Sequence, residues 1–176
     1  MATYDLDELE QAFRDYWTKG AVGEDWDAWS DLFTDDVTYL EHVLGPKQGR
    51  EAVRAWIKPI MADFCELYTA YEWHQCDPSG RIVVYMQNRR DHPDGKSAPI
   101  DFPGMTVLRY AGDGKFSLEE DFWSWPEANR ATDEYRKACE AHDPDHKAKR
   151  TRLNWGSGPA WTKGAPSYAE RPGASS

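Results

Sequence analysis

The chain has 176 residues, a formal net charge of -10, 14% aromatic residues and a mean hydropathy of -0.83. That length and aromatic content suit one folded domain with some chain left over and exclude global disorder. The acidity disfavours nucleic acid as a partner, and no apolar run approaches the roughly 18–20 residues that span a bilayer, so no membrane partner is expected.

Residues 5–20 read as an amphipathic helix, with Leu6, Leu9, Phe13, Tyr16 and Trp17 on one face of a 3.6-residue period. Acids crowd its first turn, and Gly20 and Gly23 end it. A short second helix follows with Trp26, Trp29, Leu32 and Phe33 on one face and Asp25 as its cap. Residues 36–42 are rich in strand formers until Gly45-Pro46 breaks them. Helical period returns over 49–64, where Pro59 should kink or divide the helix. Two strands, 67–76 and 81–90, flank the turn Asp77-Pro78-Ser79-Gly80. A third covers 99–110, where Pro103-Gly104 suggests a bulge or break. Gly112-Asp113-Gly114 turns the chain into a last strand, 115–124. Ser124-Trp125-Pro126-Glu127 then caps a helix running to about Ala141.

Helices first and hairpins later predict an α+β fold, a curved antiparallel sheet packed on N-terminal helices and enclosing a pocket. The domain is expected over 1–142. Residues 143–176, rich in Gly, Pro and basic residues, read as an extended tail, with Trp155, Trp161 and Tyr168 as candidates to dock it on the domain or on a partner subunit.

This order resembles the nuclear transport factor 2-like superfamily, a cone of α+β structure, in its SnoaL-like and ketosteroid isomerase-like branch. The resemblance rests on Trp29-x-x-Leu-Phe-Thr-Asp-Asp-Val-Thr-Tyr-x-Glu41, on Gly45, on Gly49-Arg-Glu-Ala-Val-Arg-Ala-Trp-Ile57, and on Glu120-Asp-Phe-Trp-Ser-Trp125. It covers roughly residues 5–126. Members include isomerases, cyclases, dehydratases, epoxide hydrolases and binding modules, so fold alone does not choose among them.

Strand alternation puts Glu41 on one face with Val37 and Tyr39. A carboxylate inside an aromatic pocket is desolvated, and its pKa rises. The resemblance implies that Glu41 stands where ketosteroid isomerase keeps its base, and that Tyr16 matches its oxyanion donor; a core Tyr with a satisfied hydroxyl is the plainer reading of Tyr16. The second donor of ketosteroid isomerase is a carboxylic acid, but Thr106 occupies that position here. Asp121 shares a face with Ser117, Glu119, Trp123 and Trp125 on the last strand. By resemblance to SnoaL-like cyclases it competes with Glu41 as the base. His42 points away from Glu41 in a regular strand, and a bulge would reverse it. His74 shares a face with Tyr68, Ala70 and Glu72, and a Tyr, His and Asp set would resemble scytalone dehydratase. Arg109 is a candidate partner for Asp121 or Asp101. Tyr39, Trp56, Trp73 and Trp123 are expected in the substrate wall, with Phe122.

His142-Asp-Pro-Asp-His146 reads as a turn rather than a metal site. No metal and no cofactor is expected. Cys65, Cys76 and Cys139, odd in number and widely spaced, fit a reducing cytoplasm, and no signal peptide is visible. The expected partner is a small hydrophobic molecule, with a homodimer as the assembly. An acid/base enzyme and a non-catalytic binding module are the two readings this leaves.

Overall fold

A computed structural model of the chain describes residues 3–149. The expected tail anchors Trp155, Trp161 and Tyr168 lie outside the described residues.

Helix α1, Leu6–Trp17, begins where the Asp5 carboxylate accepts the backbone N–H groups of Asp7 and Glu8. Its stripe of Leu9, Phe13, Tyr16 and Trp17 is buried, while Leu6 is exposed. The chain does not stop at Gly20. It continues as a π-helical turn, Thr18–Val22, and ends at Gly23. Gly20 explains the turn: a Cβ there would lie 2.6 Å from the Trp29 indole, so only glycine lets the backbone approach. Helix α2, Trp26–Ser30, is capped by Asp25 as expected.

The sheet has six strands: β1 Phe33–Glu41, β2 Lys47–Gln48, β3 Tyr68–Asp77, β4 Arg81–Arg90, β5 Ile100–Gly112 and β6 Lys115–Trp123. It is curved and unclosed, in the order β2-β1-β6-β5-β4-β3. Every pairing is antiparallel except β1 with β6, which is parallel because the β3–β6 meander returns β6 beside the first strand. Helix α3, Arg50–Asp63, lies between β2 and β3 in sequence and is one helix with Pro59 inside it. Pro59 therefore does not divide it. Pro103 and Gly104 do not break β5 either. They hold continuous register with Gln87 and Met86 of β4, and Pro103 sits just past the last β6 partner, where that ladder has ended.

Helix α4, Trp125–His142, starts at the Ser124 cap with proline in its first turn. Its Ala128, Ala131 and Tyr135 form a second apolar cluster with Ile100 and Phe102 of β5. The main core lies between the helices and the inner sheet face, around Phe13, Trp29, Phe33, Val37 and Phe116. A short helix α5, His146–Lys149, follows, and His146 bonds the Tyr135 hydroxyl at 2.7 Å. No helix among the described residues is long and apolar enough to cross a membrane.

Candidate active site

Register fixes which side chains share the inner face. One rung joins Tyr39, Glu119 and Leu108; the next joins Glu41, Asp121, Thr106, Val84 and His74. Together with α1, α3 and α4 this face encloses a cavity of about 430 Å³, lined mainly by apolar and aromatic side chains. Tyr16, Tyr39, Glu41, Trp56, Asp121 and Trp123, six of the expected site residues, all line it.

Two carboxyls, Glu119 and Asp121, stand two residues apart on β6 and face the same cavity. Glu119 is 2% exposed. The Tyr16 hydroxyl donates to its Oε1 at 2.7 Å, and its buried Oε2 has no hydrogen-bond partner. Burial, then the neighbouring Asp121 charge, pushes the Glu119 carboxyl well above the carboxylate range. A neutral Glu119 fits this geometry, since Tyr16 occupies one oxygen and the other can carry the proton. The Tyr16 phenol is itself raised by burial and by Glu119, so it remains a donor.

Asp121 is half-buried. The Tyr39 hydroxyl donates to Oδ2 and the Thr106 hydroxyl to Oδ1. Burial raises Asp121 to about 6, against the hydrogen bonds from Thr106 and Tyr39, which favour the charge; Glu41 adds to the rise. Thr106 is thus not an empty substitute for a second acid, because it holds the carboxylate. Glu119 is a further carboxyl beside it. Alternation already placed Glu119 on the Asp121 face, but not its burial, which depends on α1 laying Tyr16 over it.

Glu41 is buried but committed. Trp123 Nε1 donates to Oε1 at 2.6 Å, and the backbone N–H groups of Val43 and Leu44 donate to Oε2. It therefore braces the Trp123 wall and the turn after β1.

Four expected site residues lie outside the cavity. His42 follows the regular strand to the outer face, where it bonds Glu120 at 2.8 Å and packs on Phe122. A bulge between Tyr71 and Trp73 inserts Glu72 into β3 and reverses the faces beyond it. His74 therefore joins Tyr71 instead of Tyr68 and Ala70. It binds Glu10 and Tyr71 at 2.8 Å each and stacks on Phe13, away from the cavity. The same reversal puts Trp73 outside, stacked on Tyr85. Arg109 alternates with Thr106 and Leu108 and is exposed on the outer face, while Arg89 takes Asp101 at 3.0 Å.

Among the described residues two groups of potential metal ligands occur, Glu10, His74 and Cys76, and His92, Asp94 and His142. Neither is in the cavity. The expected turn over His142–His146 is present, with its Asp143 carboxylate bonding the Asp145 backbone.

The SnoaL-like domain family matches residues 9–118. Comparison with curated proteins gives no match. Among solved structures, an LEH-like epoxide hydrolase from M. tuberculosis superposes with a TM-score of 0.60 at 12% identity, covering 77% of this chain and 96% of that one. A putative SnoaL-like polyketide cyclase from Shewanella denitrificans gives 0.57 at 15% identity, over 72% and 97%. A hypothetical protein with a ketosteroid isomerase-like fold from Catenulispora acidiphila, in complex with trimethylamine, gives 0.51 at 22% identity, over 66% and 85%. At these identities the likeness is one of fold.

Proposed function

The chain belongs to the SnoaL-like domain family, and from that premise we propose that the cavity is the active site of a cofactor-free acid/base enzyme. It would act on a hydrophobic carbonyl compound of polyketide or steroid type, by isomerisation, cyclisation or dehydration. The carrying observation is the Glu119–Asp121 pair: two carboxyls on one cavity face, both pushed up by burial, with the Asp121 charge adding to the rise at Glu119. Pairs driven apart in this way supply an acid and a base at one pH. A binding module would bear the cost of burying such a pair without using it.

Asp121 is the base. At neutral pH it is largely ionised yet still basic enough to take a proton from a carbon next to a carbonyl. The C–H electron pair moves into the enolate, and its oxygen receives the Glu119 hydrogen bond. Return of the proton from Asp121 to another carbon gives isomerisation; attack of the enolate carbon on a second carbonyl, whose oxygen takes up the π electrons and then the proton from Asp121, gives cyclisation. Tyr16 positions Glu119, Tyr39 and Thr106 hold Asp121, and Glu41 braces Trp123. The apolar wall, with Trp56 and Trp123, excludes water and selects a hydrophobic substrate.

A homodimer belongs to the same reading. The outer sheet face carries an in-register row of Trp73, Tyr85, Met105 and Phe122, with Trp73 and Phe122 exposed. A second copy is the natural cover for such a row. Three free cysteines fit the cytoplasm as its location.

The test is hydrogen–deuterium exchange next to the carbonyl of β-tetralone, a bicyclic aromatic ketone, in D2O. The protein should accelerate exchange, and Asp121→Asn should lower the rate by about a hundredfold or more. Unchanged exchange in a folded Asp121→Asn would overturn the assignment of the base.

A further inference from the structure

The far end of the cavity from the acid pair carries a cation. Arg90 closes β4 on the inner face and lines the cavity, yet its side chain is only 3% exposed. Its Nε donates to Glu66 at 3.2 Å, and its guanidinium lies 5.5 Å from the Tyr135 ring centroid. Its buried Nη1 has no hydrogen-bond partner. A buried guanidinium N–H without an acceptor is costly, and an acceptor arriving with a ligand removes that cost.

Glu66 is shared between Arg90 and Lys147, whose Nζ lies 3.5 Å from the Glu66 Oε2, itself without a hydrogen-bond partner. Asn88, two residues back on the same face of β4, also lines the cavity. Its amide occupies the space left by the missing side chain of Gly104, where a Cβ would meet Nδ2 at 2.8 Å. Of the four acids lining the cavity, Glu41, Glu119 and Asp121 lie at the opposite end, and Glu24 follows the π-helical turn. Arg90 pairs with Ile100, and Asp121 with Thr106, so their rungs are six residues apart on β5. That is about 20 Å along the strand.

We infer that Arg90 binds a carboxylate at one end of an elongated hydrophobic substrate. The orientation, with the reacting carbonyl at Asp121, rests on the acid/base reading above; the carboxylate site itself does not. An anion entering the wrong way round would meet the three acids, so the two ends together set both the class of substrate and its direction in the cavity.

Quenching of cavity tryptophan fluorescence by biphenyl-4-carboxylate and by biphenyl-4-carboxamide, two probes of one shape, provides the test. The protein should bind the carboxylate at least tenfold more tightly. Arg90→Met alone would strand Glu66, so the decisive variant is Arg90→Met/Glu66→Met, whose folding is checked by its melting temperature. It should bind both probes equally. Equal affinity in the unaltered protein, no carboxylate binding up to the solubility limit, or a preference that survives the double variant would each overturn the inference. Asp121→Asn should keep the preference while losing β-tetralone exchange, so failure here and failure of the acid/base reading are separate results.

Discussion

Glu119 and Asp121 titrate in opposition to an ordinary surface acid. Each has a folded pKa above its unfolded value, so each contributes stability that is present below about pH 4 and lost as pH rises. For Asp121 the loss ends near pH 6 and is worth up to about 3 kcal/mol. For Glu119 the loss has the same sign and follows its own raised pKa, at about 1.4 kcal/mol per pH unit. Glu119→Gln should therefore melt higher than the unaltered protein at pH 7 and match it more closely at pH 4, while β-tetralone exchange falls about tenfold or more. A melting difference independent of pH would contradict a neutral Glu119. The exchange rate itself should rise with pH across about 6, as Asp121 ionises. Alternation alone made Asp121, Tyr39 and Trp123 legible as one lining. Glu119 was visible on that face but looked like one more acid in an acidic strand, because its meaning comes from Tyr16, 103 residues away.

At the scale of elements, capping residues were read well, since Asp25 and Ser124 act through bonds to their immediate neighbours. Irregularities were not. The bulge around Glu72 has no glycine or proline to announce it, and it moved His74 and Trp73 to faces opposite those that simple alternation gives. Gly20 looked like a helix end because glycine ends helices; its actual constraint is contact with Trp29, which cannot be seen without the fold. Trp29 in turn lies against Tyr16 and Tyr39, with ring centroids 5.8 and 6.4 Å away. Gly20→Ala should thus destabilise the protein by about 1–3 kcal/mol, measured by urea unfolding, and should also slow β-tetralone exchange because both phenols shift. A loss of stability with full exchange activity would separate the π-turn from the site.

Over the whole molecule, the order of helices and hairpins predicted the α+β architecture and its pocket, because the longer elements declared themselves by period or turn chemistry; the two-residue β2 and the short α5, read as part of the tail, did not. The assembly is less legible, since it depends on which outer side chains fall in register. The row of Trp73, Tyr85, Met105 and Phe122 predicts a solution mass of two chains, with Trp73→Asp/Phe122→Asp giving one; light scattering coupled to gel filtration reads both. Several acids of the N-terminal helices have local uses, as with the caps Asp5 and Asp25, or Asp27 and Asp31 bonding Arg54. The central claim is that one cavity holds a neutral carboxyl beside an ionised one. Carboxyl-selective carbon NMR across pH 3 to 9, with Glu119→Gln and Asp121→Asn for assignment, tests it most directly. Asp121 should titrate near 6 and Glu119 well above the ordinary carboxylate range; both groups titrating near 4, as solvated acids do, would contradict it.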